Sequence, residues 1–407
     1  MRYDLMKKII LSIGLLLYMM NNKIYPQIKN KKIYNIQAEI KGHANNPEWS
    51  LNSRYLAFEI TDTIDQNVQV MIYDLRQKQT YALFTNAQNK TTSMFYPIES
   101  VDHNTQMPLW SKNSESILYY LHTVGVDKEN KRRIKSIDLI QQSFVIEKNA
   151  ISYYDNGTIM HVGDAIDQES GISKYSVFSY DDEDYQITIE QDQFRDLKFD
   201  GRSMGIKIQK IEKFSSFDLT QDGSFVVCKG SGESNDILFV KYDFDEEEIK
   251  IIKILPIPRI SGSIHLEPSL NPANSYQLAV LEFTLAKMVN KLYLYNIQKS
   301  EYQLIDKSIY SNKERQVARE NKTSYAWHPN GNIIAYIDTN KDIVFADISD
   351  SHSIFKYILK TGISHPDQLK FSPDGKYLAI VALPEEQYLT NSTLNTFAQL
   401  YVVELSK

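Results

Sequence analysis

One short string constrains this chain more than any other: FSPDGKYLAIVA, residues 371–382. Its first half is turn chemistry. Pro373 holds φ near the value that the second position of a type I turn needs, Asp374 can bond its own backbone, and Gly375 is free to take positive φ. Its second half, Tyr377 to Ala382, is a nearly unbroken apolar run, which is what a strand covered on both faces requires. The string predicts a hairpin whose second strand lies inside a stack of layers.

The pattern recurs along the chain. Strong copies begin at Trp49 (WSLNSRYLAFEI), Trp110 (WSKNSESILYYL) and Trp327 (WHPNGNIIAYID), and weaker ones at Leu219 (LTQDGSFVVCK), Leu270 (LNPANSYQLAV) and Tyr153 (YYDNGTIMHV). With Phe371 the anchors lie 43 to 66 residues apart. A bulky residue, a turn and a strand at such a period mark an architecture assembled from small antiparallel sheets, each packing on its neighbours.

These copies resemble the β-propeller repeats of the TolB family, whose signature is approximately P-x-W-S-P-D-G-K-x-L-A-F. Pro47, Trp49 and Ser50 carry the likeness in the first copy, Pro108, Trp110 and Ser111 in the second, and the string SPDGKYLA in the last. The resemblance implies an all-β fold, a β-propeller of four-stranded blades over residues 28–407. Seven blades are expected, or six if Tyr153 to Glu190 is an insertion. In blade two RIKSIDL and SFVIE supply the third and fourth strands, and in blade three KYSVFSYD and YQITIE do so. Third strands tend to end in Asp or Asn plus an apolar residue, which predicts a tight turn there. Members acting in the Tol envelope system carry an α/β domain before the propeller. Only about twenty residues separate the leader from Trp49, so the resemblance implies the propeller without that role.

The alternating stretch IYNIQAEI within residues 31–40 has no turn-anchored partner, and AQLYVVEL from Ala398 is followed by no outer strand. The N-terminal strand is therefore expected to complete the final blade, closing the ring and hiding two sheet edges. Residues 1–27 have the form of an export signal peptide or an uncleaved N-terminal anchor: Arg2, Lys7 and Lys8 precede an apolar run, Ile9 to Met20, that is short for a membrane span. A periplasmic or secreted protein is expected, touching membrane only through that segment. The single cysteine, Cys228, excludes an intramolecular disulfide and reads as a small buried residue. A formal charge of -6 argues against a nucleic-acid partner.

No phosphate-binding glycine loop and no G-x-S-x-G elbow occurs. The expected function is a non-catalytic module without a cofactor, binding an envelope or extracellular protein, peptide or glycan. The alternative is a propeller lyase or hydrolase with a histidine-based metal site. Four histidines motivate it: His43, His103, His265 and His365 each precede an anchor by 5 to 7 residues, which puts them around one channel mouth, either as polar lead-in residues or as transition-metal ligands. Arg132 and Arg133, in a basic cluster running from Lys128 to Lys135, are further ligand candidates on what reads as an exposed connecting loop. Trp49, Trp110, Trp327 and Phe371 read as packing residues between blades. The longer connections, Asn86 to Met107, His122 to Arg133, Gly163 to Ser173, Gln191 to Phe214, Asp306 to Thr323 and Leu383 to Phe397, are expected on a single binding face.

Overall fold

The computed structural model describes residues 27–29, 32–36, 40, 42–61, 68–82, 93–94, 109–110, 114–126, 132–147, 150–163, 174–178, 186–190, 198–199, 202–203, 213–219, 225–231, 237–243, 248–255, 264–284, 287–310, 324–350, 353–382 and 398–405, and for part of these, including all of those within 147–268, the backbone alone. Among them there is no helix; the chain is strands and turns.

The turn chemistry is that of the repeat. Gly375 has φ 71° and donates its N–H to Ser372 O at 2.8 Å. The buried Ser372 hydroxyl donates to Asp374 Oδ1 at 2.7 Å and accepts from Tyr377 N–H at 3.0 Å. The Trp49 copy repeats this scheme: Ser50 donates to Asn52 Oδ1 at 2.8 Å and accepts from Tyr55 N–H at 2.9 Å. At Trp327 a histidine takes the serine position, and its Nδ1 accepts from Asn330 N–H at 3.2 Å. The tight turns after the third strands also form, with Asp74, Asn296 and Asp347 each accepting a backbone N–H two or three residues ahead, the local bonding for which Asx residues are favoured in turns.

Each hairpin grows into a sheet. The Trp49 sheet is His43–Trp49, Tyr55–Thr61, Val68–Asp74 and Gln79–Ala82 in that order. The Leu270 sheet is Ile264–Asn271, Asn274–Thr284, Lys287–Asn296 and Glu301–Ile309. Both are antiparallel throughout. The Trp327 sheet (Tyr325–Trp327, Ile333–Ile337, Ile343–Asp347, Phe355–Lys360) carries Gln27–Lys29 as an extra parallel strand on its outer edge. In the Phe371 sheet (Pro366–Phe371, Tyr377–Ala382, Gln399–Glu404) the outer strand is Lys32–Asn35, antiparallel to Gln399–Glu404.

The cores lie between sheets, which explains the unbroken apolar runs. Side chains on a strand alternate faces, and the run after Gly375 divides accordingly. Ala379 and Val381 pack with Leu56, Phe58 and Ile60 of the Trp49 sheet, while Leu378 and Ile380 pack with Ala335 and Ile337 of the Trp327 sheet. The Leu270 and Trp327 sheets share a third cluster around Leu281, Leu292 and Tyr336, and the Trp49 and Trp110 sheets a fourth around Ile72, Ile117 and Phe144. Fully burying each Leu, Ile or Phe contributes on the order of 1.5–3 kcal/mol, so the turn-anchored strands hold the fold from both sides.

Neighbouring sheets are also tied at fixed positions. The indole N–H groups of Trp49, Trp110 and Trp327 donate to the carbonyls of Lys370, Glu48 and Ser269, each the residue before the neighbour's own anchor. Neighbouring turns bond to one another: Asp374 N–H to Ser53 Oγ at 3.0 Å, Asn52 N–H to Ser114 Oγ at 3.1 Å, His328 Nε2–H to Gly375 O at 3.2 Å and Asn271 Nδ2–H to Gly331 O at 2.8 Å. With His328 Nδ1 accepting, the bond to Gly375 O places the ring proton on Nε2.

Two readings of the sequence are corrected. Tyr153 to Val162 forms no turn-anchored hairpin: it runs inside one strand, Ala150–Gly163, paired with Arg132–Glu147. The latter is itself one strand, with no turn between RIKSIDL and SFVIE. The reason is non-local. Ala150–Gly163 pairs with Ile137–Glu147 of that strand on either side of the turn signal, and this ladder outweighs the turn preference of Asp155, Asn156 and Gly157, which survives only as a register shift between Ile140 and Gln142. Second, Arg132 and Arg133 do not lie on a loop; they start this strand, opposite Val126 and Gly125.

Candidate functional site

The polar residues of interest gather where the Trp49 and Phe371 sheets meet, on their first strands, His43–Trp49 and Pro366–Phe371. The sequence makes both strands irregular at their leading ends. Asn46 has φ 49° just before Pro47, and His365 has φ 51° just before Pro366, a conformation rare outside glycine. Each strand shifts register against its hairpin partner there, between Asn45 and Glu48 and between Pro366 and Gln368.

These irregularities aim polar groups across the seam. Asn46 N–H donates to Gln368 Oε1 at 3.2 Å, and Asn46 Nδ2–H donates to the buried Glu59 Oε2 at 2.8 Å. Lys370 Nζ pairs with Glu48 at 2.8 Å. His43 Nδ1 accepts from Ala398 N–H at 2.9 Å, while Ala398 O accepts from Ala44 N–H at 2.8 Å, so the lead-in residue of one sheet clasps the last strand of the other. Asp367 and Gln368 are each 5 % exposed. Gln368 Nε2 and His365 Nδ1 are buried and meet no hydrogen-bond partner. An orphaned buried polar group costs stability and calls for an explanation.

Of the predicted site residues, His43 and His365 are brought to this seam, and His265 lies in the strand Ile264–Asn271 of a different sheet. His103 lies outside the described residues, as do residues 1–26 of the expected leader. Among the described residues no three His, Cys, Asp or Glu side chains gather as a metal site would require. Sequence reasoning passed over Asn46, Glu59 and Gln368. A signal was present: HANNPEW and HPDQLKF both place amides inside strands whose neighbours are apolar.

The charged groups at the opposite, turn-bearing end have structural roles. Asp374 is held below the ordinary carboxylate range: burial pushes it up, but bonds from the Ser372 hydroxyl and the Lys376 backbone and ammonium outweigh that. The Arg54 guanidinium is raised chiefly by its hydrogen bond to the fully buried Asp74, with Nη2 to Oδ2 at 2.7 Å.

No family model and no curated protein matches this chain. Solved structures do resemble it. The Dos1 propeller superposes with a TM-score of 0.51 at 10% identity, over 92% of this chain and 95% of that one. TolB from Acinetobacter baumannii gives 0.33 at 12% identity over 89% and 55%, and an oligogalacturonate lyase from Vibrio parahaemolyticus 0.41 at 8% over 93% and 96%. Such identities speak to fold alone. Recurrent four-stranded antiparallel sheets packed face to face, together with the likeness to the Dos1 propeller, make this chain an all-β propeller.

Proposed function

We propose that this chain is an exported, TolB-like propeller that serves as a non-catalytic binding module for an envelope or extracellular protein, peptide or glycan, taken at the end where the inner strands begin. The observation that carries the reading is the contrast between the two ends. Where hairpin turns cluster, backbone and side-chain donors are spent on the next turn around. Where the first strands begin, Gln368 and His365 hold buried polar atoms with nothing to bond. A binding surface needs the second kind of end.

We further propose a ring of six or seven blades closed by the N-terminal segment. The support is its run of contacts: Gln27–Lys29 on the Trp327 sheet, Lys32–Asn35 on the Phe371 sheet, and Ile36 O accepting from Thr80 Oγ1 of the Trp49 sheet at 3.0 Å.

The test introduces negative charge at both ends, Ile363→Asp and Lys360→Glu at the lead-in end against Leu51→Asp and Lys376→Glu at the turn end. Binding to immobilised envelope proteins, peptides and oligosaccharides should fall only for the first pair. Equal loss from both pairs, or substrate turnover without stable binding, overturns the reading.

A further inference from the structure

We infer that the outer edge of the Trp327 sheet, Phe355–Lys360, is a strand-addition site for an extended segment of a partner polypeptide with apolar residues at alternate positions, and that the chain's own Gln27–Lys29 occupies part of it as an internal competitor. This goes beyond the binding-module reading and does not rest on it.

The edge already holds one added strand. Of the Trp49, Leu270, Trp327 and Phe371 sheets, only the Trp327 sheet carries a fifth strand, so Gln27–Lys29 joins a blade that has its four strands without it. The register sets Gln27, Ile28 and Lys29 opposite Ile358, Leu359 and Lys360. Among the described residues no strand lies outside Phe355–Tyr357, which leaves the leading half of the edge uncovered.

That half also lacks the outward charge with which edge strands are normally guarded. The outer strand of the Leu270 sheet exposes Glu301 and Lys307. On the Trp327 sheet the charge is turned away: Lys356 Nζ donates to Asp306 Oδ2 of the neighbouring sheet at 2.9 Å, and its side chain is 16 % exposed. Lys360, at the covered end, pairs with Asp342 at 3.1 Å. What the leading half presents instead is apolar. Phe355, Tyr357 and Leu359 share one face by alternation. Leu359 is buried and Tyr357 half-buried in the cluster that takes in Ile33 of the Phe371 sheet, whereas Phe355, next in the row, is 66 % exposed.

These features define the partner. Main-chain bonds at a sheet edge recognise an extended segment, and alternate side chains set which sequence fits. Positions opposite Phe355, Tyr357 and Leu359 lie over the apolar row and call for apolar residues; in the internal strand Ile28 holds the position opposite Leu359. A partner strand can pair along all 6 residues of Phe355–Lys360, against the 3 that Gln27–Lys29 covers, and the longer ladder displaces the shorter.

The probe is a fluorescent octapeptide in which isoleucine alternates with threonine between terminal lysines, with the same residues in scrambled order as control. It is titrated against the full chain, a chain beginning at Lys31, and Phe355→Asp in each. The shortened chain keeps Lys32–Asn35 and Ile36, which close the proposed ring, so it should melt within a few degrees of the parent. It should bind the alternating peptide roughly tenfold more tightly, because the competing backbone bonds are gone. Phe355→Asp, at an exposed position, should leave the melting temperature unchanged and weaken the peptide roughly tenfold in both chains. A shortened chain that binds no more tightly than the parent, a scrambled peptide that binds as well, or indifference to Phe355→Asp would overturn the site. Self-association of the shortened chain that excludes the peptide would put a second copy on the edge and overturn the partner. A much lower melting temperature for the shortened chain would make Gln27–Lys29 part of the blade and overturn its role as competitor. Phe355 stands at the turn-bearing end of its strand, so none of these outcomes decides the lead-in reading.

Discussion

The indole nitrogen of Trp49 donates to the carbonyl oxygen of Lys370 at 3.1 Å, across 321 positions of sequence. The same bond joins Trp110 to Glu48 at 3.0 Å and Trp327 to Ser269 at 3.1 Å. The tryptophan of the repeat is thus more than bulk: it satisfies one backbone acceptor on the neighbouring sheet while its ring fills the space between them, Trp49 stacking on Tyr377 with ring centres 6.1 Å apart.

Trp49→Phe keeps most of the packing and orphans the Lys370 carbonyl. A loss of about 1–2 kcal/mol is expected, whereas Trp49→Ala should cost about 3–5 kcal/mol through the cavity it leaves. Urea titrations with unchanged slope check both. A Trp49→Phe variant as stable as the parent would show that the N–H bond contributes nothing.

Gly375→Ala tests the turn-to-turn contact. Gly375 and Gly362 have nearly the same φ, 71° and 70°, so the backbone strain is common to both sites. A Cβ at Gly375 would fall 2.4 Å from His328 Nε2, and at Gly362 it would meet nothing within 4 Å. Gly362→Ala should cost about 1 kcal/mol and Gly375→Ala at least about 1 kcal/mol more. Adding His328→Ala should recover much of that excess, and a double-mutant cycle showing no coupling would refute the contact.

Alkaline pH should weaken the fold through its buried phenols. Burial, aided by Tyr34, Asp74 and Tyr377, pushes the Tyr73 hydroxyl from 10.0 up to about 12, and Tyr295 is raised in the same direction by burial and neighbouring tyrosines. Between these values the unfolded chain releases protons that the folded chain retains. Stability from Tyr73 is therefore fully present below pH 10 and lost as the pH rises through about 12. Urea midpoints should fall over that window and fall less for Tyr73→Phe; a parent whose midpoint is flat across it would contradict the assignment.

Deletion of Lys32 to Ile40 removes the strand on Gln399–Glu404 and the Ile36 bridge to Thr80. An open edge should follow, with a lower melting temperature and soluble aggregates on size exclusion. A monomer that melts where the parent does would overturn the proposed closure by the N-terminal segment.

Export predicts a mature N-terminus near residue 27. N-terminal sequencing of protein from the periplasm or medium checks it, and intact Met1 on cytoplasmic protein would remove the localisation.

The hairpins were legible in the sequence because their causes are local. Pro373, Asp374 and Gly375 set a turn within four residues, and the run Leu378, Ala379, Ile380, Val381 needs cover on both faces whatever supplies it. The pairing of the N-terminal strand with Gln399–Glu404 was legible because IYNIQAEI alternates and has no turn-anchored partner of its own. What supplies the cover, and what crosses it, only the tertiary structure decided. Nothing near Gln27 in sequence announces a parallel pairing with Ile358, and the Asp155-Asn156-Gly157 turn signal lost to a strand that pairs with Arg132–Glu147 on either side of it. The site divides the same way. His43 and His365 were visible as residues at a recurring place, but Gln368 gains meaning only from Asn46, 322 positions away. An amide inside a strand is unremarkable until packing fixes one of its ends and buries the other, and burial is a property of neighbours that a linear pattern does not contain.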